Sequence, residues 1–146
     1  MNKFYVATKG IVLNQHNQIL IIQRAKGGRH ENMWEFPGGL VEFGELPEES
    51  LAREINEEVN LDIDILRYIY SWKWIENNEQ VVGMSFLCRC KDDRKLKLSF
   101  EHSNCKWVNI SEILDSELDG DIKSNLRKVM DVLLQFNINN IIKESL

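Results

Sequence analysis

Prolines and cysteines are scarce in this chain, and both scarcities exclude something. Only two prolines, Pro37 and Pro47, occur in 146 residues, and no repeat, low-complexity stretch or linker accompanies them, so a domain boundary has no place. The three cysteines, Cys88, Cys90 and Cys105, are an odd number. Cys88 and Cys90 lie two apart in a strand-like run, where they share a face and are poorly placed to bond each other, which excludes a disulfide framework. A zinc site drawn from them with His102 would lack any CxxC pair, and small buried thiols are the plainer reading. Apolar runs such as Ile19 to Ile22 fall far short of a membrane span, and the N-terminus enters strand-like sequence without a signal-peptide pattern. The expectation is a cytoplasmic protein with no membrane partner. Basic charge is lacking too: a net charge of −5 argues against binding a nucleic-acid polymer, which needs clustered Lys and Arg.

What is present is an ordinary globular composition, 43% hydrophobic and 28% charged, which implies one domain, 1–146, holding both chemistry and substrate. The acidity is local. Between Glu42 and Asp62 there are eight acids (Glu42, Glu45, Glu48, Glu49, Glu54, Glu57, Glu58 and Asp62) and one base, Arg53. That stretch is therefore −7, and since the whole chain is −5, the remainder is +2.

The pattern predicts a strand over 4–13, a turn at 14–17 and a second strand over 18–24, together a hairpin. A polar loop over 26–32 precedes the short apolar segment 33–36 and a turn at Pro37-Gly38-Gly39. A helix is predicted over 47–59, with Leu51, Ala52, Ile55 and Val59 on one stripe and Pro47 in its first turn. Leu46 before it is a poor N-cap. Strands are predicted over 65–75 and 80–90, around a polar turn at 76–79, and another over 106–108. A final helix carries Ile122, Leu126, Val129, Met130 and Leu133 on one stripe, fit to pack on a sheet. Strands and helices in this order give an α/β fold, a mixed sheet between helices.

Glu54, Glu57 and Glu58 stand at i, i+3 and i+4, within an arc of about 100° on a helix, so their carboxylates converge. The apolar stripe is centred roughly 120° away by the same periodicity, which would leave the carboxylates along the rim of the core. Like charges so placed repel, and no lysine lies among them. A hard divalent cation, Mg²⁺ or Mn²⁺, takes oxygen ligands of this kind; a solvated acidic face is the alternative. The lead-in favours a site, because Gly38-Gly39 permits backbone geometry that lets a carbonyl approach a metal or phosphate.

Gly39, five residues, Glu45, seven residues, then Arg53-Glu54-Ile55-Asn56-Glu57-Glu58-Val59-Asn60-Leu61 resembles the box of the Nudix hydrolase family, over 39–61. The one departure is Asn60, where the pattern has glycine; Asn is the next residue to tolerate the left-handed conformation that ends a helix. Ile19–Arg24, Trp34-Glu35-Phe36-Pro37-Gly38-Gly39, and Trp107-Val108 after Glu101 also look like the family. The resemblance implies a Nudix-type α/β/α sandwich that cuts a phosphoanhydride bond in a nucleoside diphosphate derivative. It further implies metal ligands at Gly38, through its carbonyl, and at Glu54, Glu57 and Glu58. Glu54 is also the candidate general base, with Glu57 beside it in the catalytic set and Arg53 orienting by clamping carboxylates such as Glu45. Glu101, six residues before Trp107, resembles a loop glutamate that ligates metal in the mutator-type branch; a solvated loop acid is the plainer alternative.

The substrate is set outside the box. No proline follows Pro47, and no tyrosine stands at 77–79, so the markers of ADP-ribose, NADH and dinucleoside polyphosphate hydrolases are lacking. The remainder looks most like the mutator-type branch, which converts a (d)NTP to the monophosphate and pyrophosphate; ADP-ribose or nucleotide-sugar hydrolysis is the alternative. Candidate substrate contacts are Arg24, Gly39, Phe86 and Asp119, with Trp72 and Trp74 as further stacking surfaces. A non-catalytic Nudix module would typically have lost a box glutamate, and an EF-hand would need a D-x-D-x-D-G run. The expected partner is a small-molecule nucleotide, and the chain a monomer or homodimer.

Overall fold

The computed structural model describes residues 1–115 and 120–135, apart from the side chains of 113–115, 120, 121 and 132–135. In chain order the elements are β1 (Lys3–Leu13), β2 (Ile19–Arg24), β3 (Trp34–Glu35), β4 (Gly38–Leu40), α1 (Pro47–Val59), β5 (Ile63–Glu76), β6 (Glu79–Cys90), β7 (His102–Val108), α2 (Ile110–Asp115) and α3 (Gly120–Gln135), with a 3₁₀ turn at Asp93–Lys95.

Neighbouring residues of a strand point to opposite faces, and in the central strands both faces are apolar. Ile11, Leu13, Ile19, Ile21 and Leu87 pack on one side; Val12, Leu20, Ile22, Phe86 and Cys88 pack on the other. Such strands must be covered twice. Ile122, Leu126 and Val129 of α3 close the first face, and Leu51, Ile55 and Val59 of α1 close the second. The architecture is thus a mixed sheet between helices. β1 and β6 run parallel from Lys3↔Glu79 to Leu13↔Arg89, while β5 and β6 form a long antiparallel hairpin turned at Asn77 and Asn78, both at positive φ. The sheet runs β3-β2-β1-β6-β5, with β4 on β1 and β7 on β2. No helix of the described residues is long and apolar enough to cross a membrane.

Several local expectations need correction. Pro37-Gly38-Gly39 is not merely a turn: β4 pairs antiparallel with β1 through Ala7↔Leu40, Thr8↔Gly39 and Lys9↔Gly38. Gly38 has φ +146°, and a Cβ there would collide with the Thr8 carbonyl, so only glycine lets this strand lie so close. β7 begins at His102 rather than at 106, its polar alternation marking a strand with one exposed side. On α1, Ala52 is exposed, and Ser50 completes the buried face with its Oγ donating to the Leu40 carbonyl at 3.2 Å.

The ends of α1 explain two oddities of the sequence. Leu46 has no side-chain acceptor, but the Glu49 carboxylate accepts from the Leu46 amide at 2.8 Å, making half of a capping box. Asn60 adopts φ 57°, ψ 34°, the left-handed conformation, and its Nδ2 donates to the Lys95 carbonyl at 3.0 Å. On α3, Met130 of the predicted stripe is half-buried, and the Leu133 side chain lies outside the described residues.

Candidate active site

On the outer side of α1, Arg53 gathers the acids. Its Nε and Nη2 donate to Glu45 at 2.7 and 2.8 Å, a two-pronged clamp that holds the helix to the loop before it. Nη1 reaches Glu54 at 3.1 Å and Glu57 at 3.2 Å, with Glu42 at 3.6 Å. Nη2 also donates to the Leu40 carbonyl at 3.2 Å, next to Gly39. A Cβ on Gly39 would strike the Glu54 carboxylate, so this glycine gives Glu54 its place. Burial raises the Glu54 pKa, with Arg53 opposing and Glu57 and Glu101 adding to the rise. Glu101 therefore stands close enough to Glu54 to act on it, although its own side chain is exposed.

Glu58 departs from the expected rim position. It is only 4% exposed, because the last turn of α1 presses it against the sheet. The Gly38 amide donates to its Oε1 at 3.1 Å, while Oε2 has no hydrogen-bond partner. Burial raises its pKa to about 8; Lys9 opposes this, and Glu35 adds to it.

Glu35 and His102 were missed by the sequence reading as members of this cluster. His102 Nε2 lies 2.8 Å from Glu35 Oε1 and 3.7 Å from Glu58 Oε2. Lys9 and Arg24 pair with Glu35 at 3.5 and 3.2 Å. Burial would raise Glu35, but Lys9, the His102 hydrogen bond and Arg24 together lower it to about 2. Glu35, Glu58 and His102 offer ligand atoms within 4.8 Å of one another. Alternation carried the missed signal: Trp34 and Phe36 pack towards α3, so Glu35 between them must face α1.

A family model described as NUDIX domain matches residues 3–132. The chain belongs to the Nudix family. Over 61 residues it is 44% identical to an 8-oxo-dGTP diphosphatase of Escherichia coli (strain K12), which is 42% of this chain and 46% of that protein. The chain spans about half the length of the 8-oxo-dGTP diphosphatases of this kind that it matches. Over 122 residues it is 32% identical to an RNA pyrophosphohydrolase of Proteus mirabilis (strain HI4320), 80% of this chain and 66% of that protein. Among solved structures, the MutT protein from Methanosarcina mazei Go1 superposes with a TM-score of 0.79 at 22% identity, covering 89% of this chain and 95% of that one, a likeness of fold.

In this Nudix domain Gly38, Gly39, Arg53, Glu54, Glu57 and Glu58 come together, with Glu101 beside them. The other expected contacts scatter. Phe86 is 4% exposed, in the core under α1 and edge-on to Tyr68; as placed it offers no base-stacking surface. Trp72 donates from Nε1 to Ser85 Oγ at 3.1 Å, and Trp74 lies beside Arg29, whose guanidinium sits 5.0 Å over its ring. Arg24 donates to the Arg29 carbonyl as well as to Glu35. Asp119 lies outside the described residues. Cys88, Cys90 and Cys105 are free thiols, and burial raises the pKa of Cys88.

Nudix hydrolases generally use a divalent metal, and the residues here fit one. The donor set is hard oxygen, one buried carboxylate oxygen, Glu58 Oε2, has no hydrogen-bond partner, and the glycine at 39 leaves room for the Glu54 carboxylate.

Proposed function

We propose that this domain hydrolyses a phosphoanhydride bond of a nucleoside diphosphate derivative, first of all a (d)NTP, giving the monophosphate and pyrophosphate. The observation that carries the reading is the meeting of Glu54 and Glu58 at the Gly38-Gly39 strand, with Glu57 joined to Glu54 through Arg53 and Glu58 Oε2 buried without a hydrogen bond. Gly38, Glu54, Glu57, Glu58 and Glu101 would hold Mg²⁺ or Mn²⁺. A bound cation would neutralise phosphate oxygens and make water easier to deprotonate.

The chain's own residues do the rest. Arg53 donates to Glu54 Oε1 at 3.1 Å, which fixes that carboxylate and leaves Oε2 to take the proton of the attacking water. The raised pKa of Glu54 makes it a better base than an exposed carboxylate. Arg24 and Gly39 are proposed to contact the substrate. The 44% identity to an 8-oxo-dGTP diphosphatase favours a triphosphate. A second reading, removal of pyrophosphate from triphosphorylated RNA ends, draws on the relative that matches 80% of this chain.

The test is a panel of dNTPs, 8-oxo-dGTP, ADP-ribose, a nucleotide sugar and triphosphorylated RNA, each incubated with Mg²⁺ or Mn²⁺ and resolved by product. Monophosphate and pyrophosphate, lost on adding a chelator, are expected from a nucleoside triphosphate. No metal-dependent cleavage of any member would contradict the proposal.

A further inference from the structure

The strand end at Trp34-Glu35 and the start of β7 bring two polar side chains under the acidic helix that none of the box positions accounts for. His102 is 1% exposed at its side chain, and its Nε2 meets Glu35 Oε1 at 2.8 Å. That carboxylate is itself held by Lys9 and Arg24, so it is anchored from three directions. His102 also stands immediately after Glu101, in a segment sewn to the end of α1 by its backbone. The Lys97 amide donates to the Val59 carbonyl at 3.0 Å, and the Ser99 amide to the Glu58 carbonyl at 2.9 Å. Ala25 then donates to the Glu101 carbonyl at 3.0 Å, and the Glu101 amide to Ser99 Oγ at 3.4 Å.

We propose that Glu35 and His102 form a positioning pair, which holds the Glu58 carboxylate and the Glu101 segment in one fixed arrangement around the metal site. The inference rests on the metal-dependent reading given above. Neither residue is assigned to substrate or metal. His102 stands 3.7 Å from Glu58 Oε2, walling in the oxygen without bonding it, and its anchor on Glu35 sets where the chain carrying Glu101 enters β7. Partners that orient metal ligands typically matter by about 10–100-fold in metal affinity.

The pair is tested in the full chain by Mn²⁺ affinity, read by electron paramagnetic resonance, together with hydrogen exchange of the metal-free protein. His102→Ala should weaken Mn²⁺ binding by at least about 10-fold. Protection of the Lys97 and Ser99 amides should fall, and the Val12 and Ile22 amides should keep theirs. His102→Gln, which retains a donor towards Glu35, should recover most of the affinity, a rescue that a merely space-filling role would not give. Glu35→Gln supplies the same reading if His102→Ala does not fold. Wild-type Mn²⁺ affinity in the folded variants would overturn the pair, and so would equal loss in His102→Gln and His102→Ala. If the wild-type protein binds Mn²⁺, His102→Ala loses it and His102→Gln recovers it, the pair stands even where no nucleotide is cleaved, so failure of the substrate reading is distinguishable. A wild-type protein that binds no Mn²⁺ would overturn both.

Discussion

Two groups of carboxylates gather around helix α1 and are balanced in opposite ways. Outside, Glu45, Glu54 and Glu57 surround one guanidinium, and Arg53 supplies charge-assisted hydrogen bonds to all three. Inside, Glu58 faces Glu35 and His102 with one oxygen unpaired, and burial pushes its pKa to about 8. Of the outer three, Glu45 is fully matched by Arg53, whereas burial still raises the pKa of Glu54. The inner acid, with the Gly38 amide on one oxygen and no hydrogen bond on the other, is stabilised by a proton or a cation, because an ionised carboxylate short of donors is costly away from water. The two-pronged clamp of Arg53 on Glu45 keeps the helix in place, while Glu54 and Glu57 stand between that clamp and Glu58, as proposed ligands.

The sharpest way to break this contrast is to neutralise two proposed metal ligands and one acid of the Arg53 clamp. Glu58→Gln should lower turnover by at least about 100-fold, as should Glu57→Gln, since each removes charge from the metal site without removing volume. Glu45→Gln should lower it by less than about 10-fold, because Arg53 keeps Glu54, Glu57 and the Leu40 carbonyl. Product release under saturating Mg²⁺ measures all three, and equal losses at Glu45 and Glu58 would erase the distinction.

A second expectation concerns the apolar face that forces Glu58 inward. Ile55→Ala should cost about 2–5 kcal/mol in urea unfolding, because Ile55 is fully buried between α1 and the sheet. A loss below about 1 kcal/mol would mean that α1 is not seated as described. At the helix end, Asn60→Ala should cost about 1–2 kcal/mol, as a Cβ-bearing residue without Asn's local bonding is strained at φ 57°. Asn60→Gly should stay within about 0.5 kcal/mol, the glycine's easy left-handed turn offsetting the lost bond to Lys95. The smallest effect belongs to Glu42, whose contact with Arg53 at 3.6 Å is exposed; Glu42→Gln should change stability by no more than about 0.5 kcal/mol.

The sequence made α1 legible to the residue, because Pro47 opens it, Asn60 closes it, and Leu51, Ile55 and Val59 repeat at helical spacing. Spacing also brought Glu54, Glu57 and Glu58 together. It could not tell their depths: helical periodicity gives an angle around the axis, whereas burial depends on how close the sheet comes, which glycines at 38 and 39 decide in three dimensions. Glu35 and His102 are far apart in the chain and join only when β3 and β7 flank β2. No local pattern could pair them. The burial of Phe86 was hidden for a related reason: an aromatic in a strand says nothing of its depth until the helices have been set on the sheet.

The most direct test of the central claim is the melting temperature of metal-free protein titrated with Mg²⁺ and Mn²⁺, for the wild type and for Glu58→Gln. A cation that binds the folded state alone stabilises it by about 2.7 kcal/mol at a hundred times its dissociation constant, a shift of several degrees. The account predicts that rise in the wild type with at least one of the two cations, and little or none in Glu58→Gln. Equal shifts in both proteins, or no shift in the wild type with either cation, would contradict it.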